Sequence, residues 1–187
     1  MYDTILIPTD GSAEIAQVAD QAIELASLCG AEVHVLNVVD ERSYLTVPED
    51  ARVMVRETLE DDGVTFTKSV ADIARDADLE VVTEIRWGDP SASILAYAVE
   101  NDIDLIVMGT HGRTGFERYL LGSVAERVVR LAPMPVLAVA VGDTDRQRET
   151  ITNAPLTDRQ PPRKPDAVDI EPYQDEAEET VEPDEFS

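Results

Sequence analysis

The chain has 187 residues, of which 39 are acidic and 15 are basic, so its formal net charge at pH 7 is −24. Such a charge disfavours nucleic acid and anionic membranes as partners of the surface as a whole. No stretch approaches the roughly 20 continuous apolar residues that span a bilayer, and the N-terminus has no signal-peptide or transit-peptide pattern. We therefore expect a soluble, cytoplasmic protein.

The acidic residues are spread along the whole chain, and Lys68 and Lys164 are the only lysines. Salt screening weakens the self-repulsion of such a surface. The composition therefore favours a halophilic source, and an acidic protein from an ordinary cell is the alternative. Cys29 is the single cysteine, which excludes an intrachain disulfide and a multi-cysteine metal cage.

The first half of the chain alternates strand and helix patterns. An apolar run over residues 4–8 predicts a buried strand, and Pro8-Thr9-Asp10-Gly11-Ser12 predicts the turn that closes it. Apolar residues then recur at helical spacing over residues 15–26, and Gly30 ends this helix. Residues 32–39 form the second predicted strand.

A long helix is predicted between residues 54 and 77, with Gly63 as a weak point that could break it in two. Its apolar positions are Met54, Val55, Leu59, Phe66, Val70, Ile73 and Ala77. Residues 81–86 form the third predicted strand. Asp89-Pro90 then supplies an N-cap and a first-turn proline for a helix over about residues 91–100.

The remaining elements are a fourth strand over residues 105–108, a fourth helix over 123–131 and a fifth strand over Pro135 to Val141. Near-continuous apolar strands that alternate with helices predict an α/β fold, a doubly wound parallel sheet with helices on both faces. In such sheets ligands bind outside the carboxyl ends of the strands, where the strand order reverses.

The composition changes after residue 142. Residues 143–187 contain six prolines, fourteen acidic residues and only scattered apolar ones. Such a segment cannot bury enough apolar surface to offset the entropy of ordering it. We predict one folded domain over residues 1–142 and a disordered, acidic, proline-rich tail over residues 143–187.

A glycine-rich segment follows the fourth strand. Four of the nine glycines lie between positions 109 and 122, in Gly109-Thr110-His111-Gly112-Arg113-Thr114-Gly115 and Gly122-Ser123. Glycine allows several N–H groups to converge on one anion, and the start of the next helix adds its dipole. Residues 109–123 carry a net charge of +1, from two arginines and one glutamate. The segment therefore predicts a phosphate site.

Two common phosphate motifs are absent from the chain. It has no Gly-Lys-Ser/Thr, which excludes a P-loop, and no two glycines stand two apart, which excludes the dinucleotide fingerprint. The spacing Gly109-x-x-Gly112-x9-Gly122-Ser123 instead resembles the nucleotide-binding signature of the universal stress protein family. Pro8-Thr9-Asp10 after the first strand matches the same family, and the resemblance covers residues 2–141.

The resemblance implies a five-stranded parallel sheet in the order 3-2-1-4-5, an adenine nucleotide alpha hydrolase-like fold and ATP binding. Pro8, Thr9 and Asp10 would border the adenosine, with Asp10 near the ribose, and the backbone of Val38 would meet the adenine. The residues implied around the phosphates are Met108, Gly109, His111, Gly112, Arg113, Gly122, Ser123 and Val124. Mg²⁺ would be held mainly by the phosphates, because the loop offers no carboxylate pair.

Several of these residues have a simpler interpretation. The glycines would serve turns alone, and His111 would be a loop histidine with its hydrogen bonds satisfied. Asp10 would be only the N-cap of the first helix. Ser123 and Glu126 form Ser-x-x-Glu, the pattern of a capping box, which is compatible with a phosphate role.

The resemblance also implies a homodimer through the fifth strand, Pro135 to Val141, because an exposed sheet edge invites pairing. A strand covered by the acidic tail is the alternative. We expect a nucleotide-dependent stress-response or signalling protein. The alternatives are a slow ATPase and a non-catalytic interaction module without nucleotide. No complete catalytic set is visible in the sequence, so activity beyond weak ATP hydrolysis is not expected.

Overall fold

The computed structural model describes residues 1–42, 47–110 and 121–141. Strands and helices alternate along these ranges. The strands are β1 (Thr4–Thr9), β2 (Glu32–Asp40), β3 (Val81–Gly88), β4 (Leu105–Gly109) and β5 (Val136–Val139). The helices are α1 (Ile15–Cys29), α2 (Arg52–Asp76), α3 (Pro90–Glu100) and α4 (Ser123–Leu131). No helix in the described ranges is long and apolar enough to cross a membrane.

The five strands form one parallel sheet in the order β3-β2-β1-β4-β5, as predicted. Strand β1 pairs with β2 on one side, up to the Thr9–Asn37 pair, and with β4 on the other. The chain therefore leaves β1 toward one side of the sheet and later returns to its other side. This reversal of strand order opens a crevice beyond the carboxyl ends of β1 and β4.

Helices cover both faces of the sheet. Neighbouring strand residues point to opposite faces, so the apolar strands bury one core cluster on each side. The core cluster on the α1 and α2 side includes Ile5, Ile7, Val18, Val35 and Val70. The cluster on the α3 and α4 side includes Leu6, Leu36, Ile106, Tyr97 and Val128. Both sets are essentially inaccessible to solvent, so the apolar runs of the central strands reflect burial on two faces.

Two predicted helix ends are confirmed. Helix α1 ends at Gly30, whose φ of 68° is the left-handed conformation that glycine adopts at little cost. Helix α3 begins with Pro90, and the carboxylate of Asp89 accepts the N–H of Ala92 at 3.0 Å. The second of these caps places the start of α3 on the rim of the crevice.

Helix α2 runs unbroken through Gly63, so the predicted long helix is confirmed and its weak point does not divide it. Gly63 is buried, and a Cβ atom there would lie 2.9 Å from Oδ1 of Asn37. The glycine therefore permits close approach to the sheet. The predicted apolar face is partly wrong: Met54 is 67% exposed, and Ile73 is exposed as well, whereas Val70 is buried.

Strand β5 lies at one edge of the sheet, as predicted, but is shorter than the expected span of Pro135 to Val141. Its last pair joins Val139 to Gly109, the final residue of β4. The strand ends there because its partner ends. The segments at 43–46, 111–120 and 142–187, which include the predicted tail, lie outside the described residues.

Candidate functional site

A cavity of about 470 Å³ lies at the carboxyl ends of the central strands. It is bordered by the turn after β1, the end of β2, the end of β4 and the start of α4. Nine of the twelve predicted site residues line it: Pro8, Thr9, Asp10, Val38, Met108, Gly109, Gly122, Ser123 and Val124. The other three, His111, Gly112 and Arg113, lie outside the described residues.

The turn after β1 is held by its own side chains. Gly11 N–H donates to Oγ1 of Thr9 at 3.2 Å, and Ser12 N–H donates to Oδ1 of Asp10 at 3.0 Å. Asp10 is therefore not the N-cap of α1, which begins at Ile15 after Glu14. The local hydrogen bond to Ser12 competes with capping and keeps the Asp10 carboxylate in the turn.

The segment between β4 and α4 has closely placed ends. Thr110 N–H donates to the carbonyl of Val139 at 2.9 Å, and Gly122 N–H donates to the carbonyl of Thr110 at 2.7 Å. These bonds bring residue 110 and the start of α4 together at the cavity. Gly109, at the end of β4, and Gly122, at the start of α4, therefore both line the cavity.

The first turn of α4 brings backbone donors without acceptors inside the helix to the cavity. Its first intrahelical bond runs from Glu126 N–H to the carbonyl of Gly122 at 2.8 Å. The N–H groups of Ser123, Val124 and Ala125 precede that bond and have no acceptor inside the helix. All three residues line the cavity. Converging N–H groups and the positive end of a helix dipole form a surface that attracts an anion.

The predicted capping box at this helix is wrong. Gly122, with ψ of 151°, occupies the N-cap position, so Ser123 is already the first helical residue. The carboxylate of Glu126 lies 3.6 Å from Nη1 of Arg130, one turn further along α4. Because neither side chain caps the helix, the first N–H groups are left for another acceptor.

The charges that line the described part of the cavity are all negative. They belong to Asp10, Glu14, Asp40 and Asp62. The Arg42 guanidinium lies 2.8 Å from Oδ2 of Asp40 and holds the pKa of that carboxyl below its usual range. The net positive charge predicted for residues 109–123 comes from Arg113 and Arg118, outside the described residues.

The model of the universal stress protein family matches residues 1–140. The universal stress protein MJ0531 of Methanocaldococcus jannaschii is 41% identical over 140 residues, which cover 74% of this chain and 82% of that protein. The universal stress protein YxiE of Bacillus subtilis is 31% identical over 147 residues, covering 74% and 99%. This chain belongs to the universal stress protein family.

Solved structures agree with this universal stress protein fold. The hypothetical protein MJ0577 superposes with a TM-score of 0.68 at 31% identity, covering 75% of this chain and 96% of that one. A universal stress protein in complex with cAMP has a TM-score of 0.57 at 25% identity, covering 75% and 99%. One from Archaeoglobus fulgidus in complex with dAMP has a TM-score of 0.50 at 25% identity, covering 75% and 98%.

One wall of the cavity in this universal stress protein was not predicted. Leu59, Asp62 and Phe66 of α2 line it. Gly11 packs against the Phe66 ring so closely that a Cβ at position 11 would lie 2.4 Å from ring atoms. From sequence alone, Leu59 and Phe66 are ordinary apolar positions of an amphipathic helix. Only the packing of α2 on the sheet brings them to the cavity.

A second residue that the sequence reasoning missed is Asn37 of β2. It lines the cavity and is 5% exposed, and its Nδ2 donates to the carbonyl of Thr9 at 2.8 Å. An amide within an apolar strand was the available signal, because buried polar groups require a partner. Within residues 1–42, 47–110 and 121–141, no cluster of His, Cys, Asp or Glu is placed to hold a metal ion.

Proposed function

We propose that this universal stress protein binds ATP with Mg²⁺ in the cavity and acts as a nucleotide-dependent stress-response or signalling protein. The observation that carries the proposal is the start of α4, where three backbone N–H groups without helical acceptors meet the glycine-flanked end of β4. The cavity volume of about 470 Å³ suits a ligand of nucleotide size. The complexes of similar proteins with cAMP and dAMP favour an adenine nucleotide.

Each side of the cavity would hold one part of the nucleotide. Pro8, Thr9 and Asp10 would border the adenosine, with the Asp10 carboxylate near the ribose, and Val38 would meet the adenine. The phosphates would lie against the start of α4 and residues 108–113, where N–H groups suit anions and glycine permits close approach. The fit is chemical, because donors without helical acceptors stand where the ligand would be most negative.

The acidic lining makes a cation necessary in this proposal. ATP carries several negative charges, and the described lining adds four carboxylates. Like charges at short range in a partly enclosed site oppose binding. Mg²⁺ would neutralise part of this charge and would be held mainly by phosphate oxygens and water, as is usual for this ion. Free ATP should therefore bind more weakly than MgATP.

The direct test is calorimetric titration of MgATP into the full chain in concentrated KCl. We expect saturable binding that Asp10→Asn weakens, because a neutral amide is a poorer acceptor for a ribose hydroxyl than the carboxylate it replaces. This loss should exceed the relief of repulsion, since the phosphates would lie at the α4 end of the cavity and not beside Asp10. Asp20→Asn is the matched control: it removes the same charge from an exposed position on α1. Gly112→Val should abolish binding, and truncation after residue 142 should preserve it.

The alternatives give different results in the same experiment. A slow ATPase would bind MgATP and accumulate ADP in the sample over hours. An interaction module without nucleotide would show no heat of binding in the wild-type chain. Equal effects of Asp10→Asn and Asp20→Asn would contradict the placement of the nucleotide in this cavity.

We also propose that the protein forms a homodimer through β5. The strand occupies a sheet edge, and its Leu137 is 37% exposed. Val129 and Leu131 on the adjacent α4 are exposed as well. An open edge with apolar side chains favours association. A sedimentation mass of one chain in concentrated KCl would contradict the dimer.

A further inference from the structure

Asn37 interrupts an apolar face of β2. Val33, Val35 and Val39 are buried, and strand alternation puts Asn37 on their side of the sheet. Asn37 is equally buried. A buried amide is costly unless it is hydrogen-bonded, so its presence at the end of this valine-rich face calls for a physical reason.

The amide supplies a hydrogen bond at the point where β1 leaves the sheet. Pairing of β1 with β2 ends at Thr9 and Asn37. There, Nδ2 of Asn37 donates to the carbonyl of Thr9 at 2.8 Å. This bond fixes the peptide that joins Thr9 to Asp10. A side chain of β2 therefore orients the first residue of the turn that follows β1.

Gly63 gives Asn37 the space it occupies. It is the only glycine in α2, and a glycine inside a helix costs about 1 kcal/mol relative to alanine. A Cβ at position 63 would lie 2.9 Å from Oδ1 of Asn37 and 3.1 Å from Cδ1 of Ile85. A glycine that weakens α2 therefore lies against an amide that is costly to bury in β2. The amide needs the space that only glycine leaves, and this need accounts for the glycine.

We propose that Asn37 is a positioning residue for the bound nucleotide. It holds the Thr9 carbonyl and thereby sets the place of Asp10 at the cavity, while Gly63 keeps the space open. Asn37 acts through Asp10 and the turn, in addition to its own place in the cavity lining. This assignment rests on the proposed function, and it adds α2 to the elements that control affinity.

A double-mutant cycle on MgATP affinity tests the assignment. We expect Asn37→Ala to raise Kd by about three- to tenfold, the loss typical of one hydrogen bond. In an Asp10→Ala background the same change should raise Kd by less than about twofold, because residues that act as one unit are not additive. Equal factors in both backgrounds would overturn the assignment.

Two further variants separate positioning from loss of stability. Val70→Ala also truncates a buried side chain on the α1 and α2 side of the sheet and should leave Kd unchanged while lowering Tm. Gly63→Ala improves helix propensity but displaces the Asn37 amide, so it should raise Kd in spite of that gain. Gly63→Ala with unchanged Kd, or Val70→Ala with the same loss of affinity as Asn37→Ala, would overturn the assignment.

The outcomes also distinguish this assignment from the proposed function. A wild-type chain that binds no MgATP would refute the proposed function and the role of Asn37 together. A wild-type chain that binds MgATP, with additive effects of the two substitutions, would refute only the role of Asn37.

Discussion

The contact between Gly11 and Phe66 gives a prediction with a built-in control. Gly11 has φ of 73°, and an added Cβ would lie 2.4 Å from the Phe66 ring. Gly30 has nearly the same φ, 68°, but an added Cβ there would meet nothing within 4 Å. Gly11→Ala therefore introduces backbone strain and a collision, whereas Gly30→Ala introduces the strain alone.

The expected losses follow from these two geometries. An L residue in the left-handed region costs about 1–2 kcal/mol, which is the whole effect expected for Gly30→Ala. At position 11 the Phe66 ring must also move, and overpacking of this kind costs about 1–3 kcal/mol more. The sum of about 2–5 kcal/mol is a large part of the 5–15 kcal/mol that typically stabilises a domain.

Urea denaturation in concentrated KCl, followed by circular dichroism and by the fluorescence of Trp87, measures both losses. In a Phe66→Ala background the additional cost of Gly11→Ala should fall to that of Gly30→Ala, because the colliding ring is gone. A Gly11→Ala variant that loses no more stability than Gly30→Ala would refute the placement of α2 against the turn. The same result would contradict the assignment of α2 residues to the cavity wall.

Other predictions concern a cap, acid stability, assembly and salt. Asp89→Ala should lower the free energy of unfolding, measured by urea denaturation, by about 0.5–2 kcal/mol, because it removes the N-cap of α3. Asp89→Asn should retain most of the wild-type free energy of unfolding, because asparagine also caps helices. Equal losses in the two variants would contradict the cap. Two backbone N–H groups at the start of β1 lower the pKa of Asp104, so its stabilisation is complete above the pKa of the unfolded chain and is lost as pH falls through the lower folded value. The free energy of unfolding should therefore decrease less at acid pH in Asp104→Asn than in the wild-type chain. Leu137→Arg should yield monomers in sedimentation with unchanged MgATP affinity. Raising the KCl concentration should strengthen MgATP binding by screening the cavity carboxylates, and weaker binding would show that cations outside the described residues dominate.

The fold was predictable because its signals are local. Apolar runs identify strands that are buried on both faces, and Gly30 and Asp89-Pro90 mark helix ends with residues whose conformational preferences are strong. The strand order came from the family resemblance of the glycine segment. Periodicity alone does not order strands, since it reports only which side chains are buried.

The cap interpretations that the structure excludes are those where several suitable residues stand close together. At α4, Gly122 caps the helix in place of Ser123, and before α1 the side chain of Asp10 bonds within its own turn. The choice between neighbours depends on where the preceding strand ends. That position is set by strand pairing, as in the pairing of Gly109 with Val139 that ends β4, and a local pattern does not contain it.

The cavity was predictable only where strand ends form it. Residues after β1 and β4 follow from the rule for parallel sheets, but Phe66 and Asn37 come from an amphipathic helix and a buried strand. Their positions depend on how α2 packs across the sheet. The combination of a buried amide in β2 with a glycine inside α2 was the one sequence signal for this packing, and each residue is unremarkable without the other.

The most direct test is to identify what the protein carries when it is purified in concentrated KCl. The chain is denatured with acid, and the released small molecules are separated and identified. We expect a stoichiometric adenine nucleotide, and the change in its ATP-to-ADP ratio over time reports whether the protein hydrolyses it. Release of no nucleotide, together with unchanged Tm and Trp87 fluorescence on addition of MgATP, would contradict nucleotide binding by this chain.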